Sequence, residues 1–251
     1  MPRFPDLTDA ALVWAIFLFA GVVKGVAGFG LPTITLALLA LTRSLPEAMA
    51  LVLLPAFATN VWQALAGGAL LAAVRRLWAF IAAATLCTWL AAGALARADA
   101  AMLAGLLGVL LVVSSTIGLL GPQWGLPTPE RERWLSPVMG GVSGVFAGLT
   151  GSFLVPAAPW LAALRLPPAQ FVQGLGLSIV AVTVALAAAL AGNRMLPAEI
   201  GLTALAGLAP AFLGMAGGQR LRRALPEAWF RRVVQVALLL LGLYLAARAL
   251  V

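Results

Sequence analysis

Gly21-Val22-Val23-Lys24-Gly25-Val26-Ala27-Gly28-Phe29-Gly30-Leu31-Pro32 is a glycine-rich stretch within a long apolar segment, and a related stretch occurs in the second half of the chain. The second copy reads Gly144-Val145-Phe146-Ala147-Gly148-Leu149-Thr150-Gly151-Ser152-Phe153-Leu154-Val155-Pro156. Three glycines of each copy are offset by 123 residues (144 minus 21, 148 minus 25, 151 minus 28). Because glycine and proline interrupt helices, the two stretches predict a break at corresponding places in two halves of the chain.

The composition places these stretches in a membrane protein. Of the 251 residues, 63% are hydrophobic and 10% are charged, and the mean hydropathy is +1.06. Soluble domains have about 25% charged residues, and here the charges are confined to short gaps between apolar segments. These values exclude a soluble domain of useful size and predict an integral, all-α, polytopic membrane protein.

Ten apolar segments recur along the whole chain. Segments two and seven hold only about a dozen residues each, which at ~1.5 Å per residue is too short to cross a ~30 Å hydrocarbon core straight. Each is therefore predicted to be half of a broken helix or a re-entrant arm. The ten segments are 9–29, 31–42, 46–67, 77–96, 100–120, 135–151, 153–164, 168–191, 197–217 and 227–250.

The order of long and short segments is the same on both sides of the polar stretch 121–134. This stretch is predicted to link two transmembrane repeats, 1–120 and 135–251, within a single membrane domain. Each repeat holds about five segments, and an odd number of crossings would turn the second repeat upside down. We therefore expect two inverted repeats, as many transporters have.

The charges between the segments agree with inversion. Arg75 and Arg76 follow segment three, whereas the corresponding place after segment eight has only Arg194. Conversely, Arg97 follows segment four, whereas five arginines lie between 220 and 232 at the corresponding place. Since arginine-rich loops stay in the cytoplasm, this pattern predicts that both termini lie outside it.

Several functional classes lack the residue types that they need. The chain has no histidine and one cysteine, Cys87, so the commonest general base and metal ligand are missing. No paired carboxylate lies within a segment, and the arginines lack the interleaved aromatic residues of a nucleic-acid surface. We expect no enzyme activity, no metal, no cofactor and no nucleic-acid partner.

The two glycine stretches have a functional and a structural interpretation. In the functional one, Gly28-Phe29-Gly30 and Gly151-Ser152 unwind the chain, and the prolines that follow begin new half-helices. The free N–H groups and the positive dipole ends of these half-helices would face a cavity, which suits an anion. In the structural one, small residues four apart, such as Gly144 and Gly148, let helices approach closely in lipid.

Lys24 is the only lysine, and it lies within the first stretch, where the second copy has Ala147. One cation at a nearly symmetric site favours an anionic ligand, and charges inside membrane segments are functional by default. Alternatively, a side chain about 22 Å along the first helix could snorkel to the membrane interface. Both interpretations remain open at this point.

Neutral polar side chains inside the segments are further candidates. Asn60 and Gln63 share one helix face, and with Gln173 they are candidate hydrogen-bond donors to a polar substrate. Alternatively, such groups bond neighbouring helices or their own backbone. The candidate substrate-binding residues are Lys24, Gly28, Phe29, Gly30, Thr33, Asn60, Gln63, Gly148, Gly151, Ser152 and Gln173.

The paired stretches 21–32 and 144–156 resemble those of the sulfite exporter TauE/SafE family of membrane permeases, which carry a related stretch at the head of each of two repeats. The resemblance covers nearly the whole chain. The second copy departs from the family pattern at Gly151-Ser152-Phe153, where consecutive glycines are common. The resemblance implies a multi-pass bacterial inner-membrane protein that moves sulfur-containing anions such as sulfite, organosulfonates or thiosulfate.

We therefore expect a secondary transporter of a small anion, a sulfite or sulfonate, that works by alternating access in the bacterial inner membrane. The anion's own gradient or a coupled proton or sodium ion would drive it, because the chain has no nucleotide-binding loop. The alternative is a membrane scaffold or subunit without a transport cycle. The scaffold predicts that replacing Lys24 with alanine leaves anion flux unchanged.

Overall fold

The computed structural model describes residues 7–66, 68–95, 98–121, 125–196, 198–222, 224 and 226–249, and these residues form eleven helices and no strand. The predicted all-α class is confirmed. Six helices of the described chain are long and apolar enough to cross a membrane, as a multi-pass membrane protein requires. The helices are α1 (Leu7–Ala27), α2 (Leu31–Leu39), α3 (Leu45–Leu65), α4 (Leu70–Leu95), α5 (Ala100–Leu120), α6 (Pro129–Thr150), α7 (Leu154–Ala163), α8 (Pro168–Gly192), α9 (Ala198–Ala206), α10 (Leu208–Leu221) and α11 (Glu227–Arg248).

The predicted segment 197–217 forms two helices rather than one, because the helix is interrupted at Gly207. Pro210 accounts for the interruption, since it has no N–H and its ring opposes the carbonyl of Ala206, four residues earlier. Gly207 also packs against Phe17 of α1, where a Cβ would come within 2.8 Å of the ring. Hydropathy alone does not report such a local break.

Two helices begin earlier than predicted. α4 begins at residue 70 rather than 77, so Arg75 and Arg76 lie in its first turns instead of in a loop. α6 begins at Pro129, inside the stretch predicted as a linker. Arg76 Nε lies 2.9 Å from Glu132 Oε1, so the polar starts of α4 and α6 lie side by side. Hydropathy detects only the apolar part of each helix, whereas the helices continue beyond it.

Three of the predicted features fall on parts of the chain that are not described. They are Arg97, Arg223 and the linker residues 122–124, which lie outside the described residues.

Glycines let two helix pairs cross at close range. α1 packs on α10, where Gly21 faces the backbone carbonyl of Ala211. α4 packs on α6, where Gly144 faces the backbone carbonyl of Ala84. A Cβ at either glycine would overlap the carbonyl oxygen, so a larger residue would push the helices apart. The structural interpretation of the glycine spacing is therefore confirmed at both positions.

The other main helix pairs are α5 with α11, α4 with α8 and α3 with α8. The first half holds α1 to α5, and the second half holds α6 to α11, with α9 and α10 counted as one helix. The first helix of each half contacts the fourth helix of the other half (α1 with α10, and α6 with α4). The third helices contact each other (α3 with α8), and so do the fifth helices (α5 with α11). Such an exchange is expected of two halves related by a two-fold axis, whereas the orientation of the halves in a membrane stays a prediction.

Two apolar clusters fix the short helices. Most of the first cluster comes from α1, α2, α3 and α5, with Phe17 and Met49 among its fully buried side chains. The second joins α4, α6, α7 and α8 around Phe80 and Trp160. α2 thus belongs to one cluster and α7 to the other, and Phe29, between α1 and α2, packs on the second cluster. The first break therefore lies where the two clusters meet.

Candidate functional site

The first glycine stretch ends α1 and begins α2 through a three-residue break. The N–H of Gly28 donates the last helical hydrogen bond, to the carbonyl of Lys24 at 2.8 Å. Gly28 and Gly30 have φ angles of +83° and +105°, which residues with a side chain rarely adopt. Pro32 lies in the first turn of α2, where its missing N–H costs no hydrogen bond. The break predicted at 28–30 is confirmed.

This break leaves backbone donors unpaired. The N–H groups of Phe29 and Gly30 have no hydrogen-bond acceptor within the described part of the chain. Both residues line a large cavity, and α2 begins there without a side-chain cap. Free N–H groups and the positive end of a helix dipole therefore lie together at a cavity wall, an arrangement that suits an anion.

The large cavity has a volume of about 750 Å³ and lies at one end of the helix bundle. Its wall comes from the C-terminal ends of α1 and α5, from α7 along its length, and from the N-terminal parts of α2, α8 and α11. Apolar side chains such as Phe29 and Phe171 form most of the wall, while Arg165, Arg222 and Arg231 contribute positive charge. These arginines were not predicted as site residues, because their positions between apolar segments indicate only topology.

The second glycine stretch ends α6 at Thr150, after which Gly151 has a φ of +74°. The N–H of Ser152 donates to Thr150 Oγ1 at 3.2 Å. Within α7 the backbone leaves the helical region at Val155 (φ −113°, ψ 123°), just before Pro156. The second predicted break is therefore present as well, but one of its N–H groups is already bonded within the chain.

The two breaks meet across a space of about 20 Å³, lined by Pro32 and Thr33 of the first and by Gly151 and Phe153 of the second. This space would hold about one water molecule. Thr33 and Leu154 line both this space and the large cavity, so they form the wall between the two. The large cavity therefore ends where the broken elements touch.

Lys24 lies one helical turn before the break, and its side chain is only 3% exposed. Its Nζ donates to Asn60 Oδ1 at 2.7 Å and to Thr59 Oγ1 at 3.2 Å, both on α3. These side chains donate their own hydrogens to carbonyls of α3, which leaves their oxygens free to accept from Lys24. No carboxylate contacts Lys24 among the described residues. The lysine is thus buried within the helix bundle and does not snorkel to its surface.

Gln63 and Gln173 join the break to the ends of two helices. Gln63 Nε2 donates to the carbonyl of Gly28 at 3.0 Å and to that of Val172 at 3.1 Å. Gln173 Nε2 donates to the carbonyl of Ala64 at 2.8 Å, and its Oε1 accepts from the N–H of Ala69 at 2.6 Å. In this conformation both amides are engaged with backbone, and Gln63 holds the carbonyl of the first residue in the break.

The structure thus gathers only part of the predicted set at the cavity. Gly28, Phe29, Gly30 and Thr33 line it. Gly148 lies instead at the crossing of α6 with α4, where a Cβ would come within 2.6 Å of a backbone carbonyl oxygen. Four further predicted residues do not line the cavity and are hydrogen-bonded within the chain: Lys24, Asn60, Gln63 and Gln173. Gly151 and Ser152 belong to the second break.

Ion pairs hold the opposite end of the bundle. Arg43, between α2 and α3, pairs with Asp9 of α1 and with Glu47 of α3, the latter with Nη1 to Oε1 at 2.6 Å. Arg248 of α11 donates to the carbonyl of Leu41 at 3.3 Å. Although partial burial lowers the pKa of Arg43, its hydrogen bonds to Glu47 and Asp9 raise it, so the pKa lies above its ordinary value. Arg43 stays charged and ties these helices together.

The comparison with protein families gives a match that spans both broken elements. The family model described as sulfite exporter TauE/SafE matches residues 13–245, a region that includes both breaks and the lining of the large cavity. No curated protein and no solved structure matches the chain significantly. Since the family model covers nearly the whole chain, the protein belongs to the sulfite exporter TauE/SafE family.

Proposed function

We propose that this protein is a secondary transporter that carries a small oxyanion, sulfite or an organosulfonate, across the bacterial inner membrane by alternating access. The family description names a sulfite exporter, and the helices are those of a multi-pass membrane protein. Sulfite and sulfonates share a compact head of oxygen atoms with negative charge. Such a head accepts several hydrogen bonds at once, as a helix N-terminus offers them.

The observation that carries this proposal is the first break. The free N–H groups of Phe29 and Gly30 line the large cavity, and the ammonium of Lys24 lies buried one turn away without a carboxylate partner among the described residues. Hydrogen bonds to a charged group contribute about 1.5–3 kcal/mol each, so a few of them suffice for reversible binding of an anion. The site therefore offers both the donors and the compensating charge.

The geometry of the two breaks supports alternating access. The large cavity reaches the break from the end where Arg165 and Arg231 lie, while on the other side Thr33 and Leu154 separate it from the small space between the two breaks. At the far end, Arg43 ties three elements with ion pairs. A transport cycle would separate the broken elements, loosen the Arg43 ion pairs and close the large cavity. A coupled proton or sodium ion could drive this cycle.

Purified protein in liposomes tests the proposal. We expect uptake of labelled sulfite or methanesulfonate well above that of empty liposomes, with a change in rate when a proton or sodium gradient is imposed. A scaffold without a transport cycle predicts uptake equal to that of empty liposomes for every anion tested. Thermal unfolding of the same sample must show that the protein is folded, so that a negative result counts against transport.

A further inference from the structure

Two arginines of the large cavity are not used by the proposed site at the break. Arg165 follows α7, and Arg231 lies near the start of α11; both line the cavity. Neither has an ion-pair partner in the part of the chain that is described, whereas Arg43 has two and Arg76 has one. Their positive charge is therefore not compensated by the described residues at this end of the cavity.

The backbone at Arg165 is held in an unusual conformation. Its φ angle is +46°, in the left-handed region that costs a residue with a side chain about 1–2 kcal/mol. Glycine or asparagine would adopt this conformation at lower cost. Arg165 directly follows the C-cap of α7, where a left-handed residue commonly ends a helix, and Arg194 has a similar φ of +56° after the C-cap of α8. This conformation fixes where the chain leaves α7 at the edge of the cavity.

Gln235 lies one turn after Arg231 on α11 and lines the same cavity. Its Oε1 is buried and has no hydrogen-bond partner among the described residues. The amide packs against Gly118 of α5, where a Cβ would come within 2.6 Å of Nε2. An oxyanion has no hydrogen to donate to this oxygen. However, Nε2 of the same amide also has no hydrogen-bond partner among the described residues, so it can donate to an oxyanion in the cavity.

The size of the cavity leaves room for this second site. Its volume is about 750 Å³, whereas a water molecule takes about 30 Å³ of liquid. An oxyanion of a few heavy atoms, bound at the break, would therefore fill only a small part of the space.

We propose that Arg165, Arg231 and Gln235 form a second oxyanion site at the exposed end of the large cavity, distinct from the site at the first break. Arginine forms bidentate hydrogen bonds with oxyanions, and both arginines line the same cavity as Gln235. An anion entering from this end meets these residues before it reaches the break. The site requires no transport cycle, so it stands or falls independently of the proposed function.

Equilibrium dialysis with radiolabelled methanesulfonate tests the second site in detergent-purified protein. The test variant combines Arg165→Asn, which tolerates a positive φ, with Arg231→Gln, which suits a helix. Arg75→Gln is the matched control, because Arg75 is an exposed arginine that does not line the cavity. We expect the double variant to bind one methanesulfonate fewer per chain than the wild type, and Arg75→Gln to bind as many as the wild type.

Each single variant provides the same test if the double variant does not fold, with an expected tenfold or greater loss of affinity at one site. Equal binding by the wild type and the arginine variants would overturn the proposal. Liposome flux without this arginine-dependent binding would leave the proposed function standing and refute the second site. Arginine-dependent binding without liposome flux would support the second site and count against the proposed transport function.

A lipid phosphate could present the same oxyanion chemistry to these arginines. The dialysis is therefore repeated in nanodiscs of phosphatidylcholine with and without phosphatidylglycerol. We expect the same number of bound methanesulfonates in both. If phosphatidylglycerol displaces the arginine-dependent methanesulfonate, the site belongs to a lipid head group and the proposal of a soluble oxyanion is overturned.

Discussion

Lys24 is the residue on which the proposed anion site depends most. Its ammonium is buried, and its hydrogen-bond partners, Thr59 and Asn60, are neutral. A buried charge without a charged partner is costly, so proteins rarely keep one without a functional reason. An anion at the break would compensate this charge. The sequence identified Lys24 as a candidate, but only its contacts with α3 distinguish a buried lysine from a snorkelling one.

Replacing Asn60 with aspartate tests whether the positive charge of Lys24 contributes to binding of the anionic substrate. The change places a carboxylate where Asn60 Oδ1 now lies, 2.7 Å from Lys24 Nζ. Because the new carboxylate neutralises the ammonium, we expect anion uptake by proteoliposomes to fall about tenfold or more, with the melting temperature unchanged or higher. Asn60→Ser, which keeps an acceptor without adding charge, is the control. Uptake by N60D equal to that of N60S would count against the electrostatic role.

The glycines of the first break are predicted to be required for their backbone conformation. Gly30→Ala places a side chain at a φ of +105°, although the nearest atom, in Ile34, is as far as 3.5 Å from the new Cβ. We expect a loss of about 1–2 kcal/mol in stability and a lower uptake rate, because the break must distort. Gly93→Ala, in a helix with open space around it, is the control and should be neutral or stabilising. Equal melting temperatures for both variants would contradict the prediction.

At the level of the helices, close crossings depend on which glycine faces the neighbour. Gly218 of α10 faces the backbone carbonyl of Val22, whereas a Cβ added at the adjacent Gly217 would meet no atom within 4 Å. We therefore expect Gly218→Ala to lower the stability by about 1–3 kcal/mol through overpacking. Gly217→Ala should leave the stability unchanged or raise it. Thermal unfolding of the two variants in detergent measures the difference, and a larger loss in G217A would refute the observed packing of α10 on α1.

The helices were predictable from the sequence to different degrees. Gly28, Gly30 and Gly151 mark the breaks because glycine tolerates positive φ, a local property. The interruption at Gly207 was missed, since Pro210 lies in an otherwise continuous apolar segment. The hydrogen bond from Gln63 to the carbonyl of Val172 could not be predicted from the sequence either, because this acceptor in α8 is 109 residues away in the chain. Local backbone chemistry is readable from the sequence, and partners distant in the chain are not.

At the scale of the whole molecule, the arginines lie at the two ends of the helix bundle. Arg165 and Arg231 lie at the end with the large cavity, and Arg43 and Arg248 lie at the other. The arginines between 220 and 232 predict an arginine-rich end, but they do not predict the cavity, whose wall combines helix ends from distant parts of the chain. If the two repeats are inverted, the helix ends that line the cavity lie on the cytoplasmic side of the membrane. The orientation of the chain in the membrane therefore tests the inversion.

Cysteine labelling in cells tests this orientation. In a Cys87→Ala background, Glu130→Cys lies at the start of α6 and Asn193→Cys follows α8, and both positions are exposed. If the arginine-rich end is cytoplasmic, a membrane-impermeant maleimide should label Cys at 193 in intact cells and Cys at 130 only after permeabilisation. The reverse pattern would invert the predicted topology. The Cys87→Ala protein without added cysteine controls for background labelling.

If the protein binds an anion at the first break with the help of Lys24 and carries it across the membrane, transport must depend on the charge at residue 24. The decisive measurement is the initial rate of sulfite uptake by proteoliposomes containing the wild type, Lys24→Arg or Lys24→Met in equal amounts. We expect uptake by the wild type, at least partial uptake by K24R, and a loss of about tenfold or more in K24M while its fold is retained. Uptake by K24M at the rate of the wild type would refute binding of the anion with the help of Lys24.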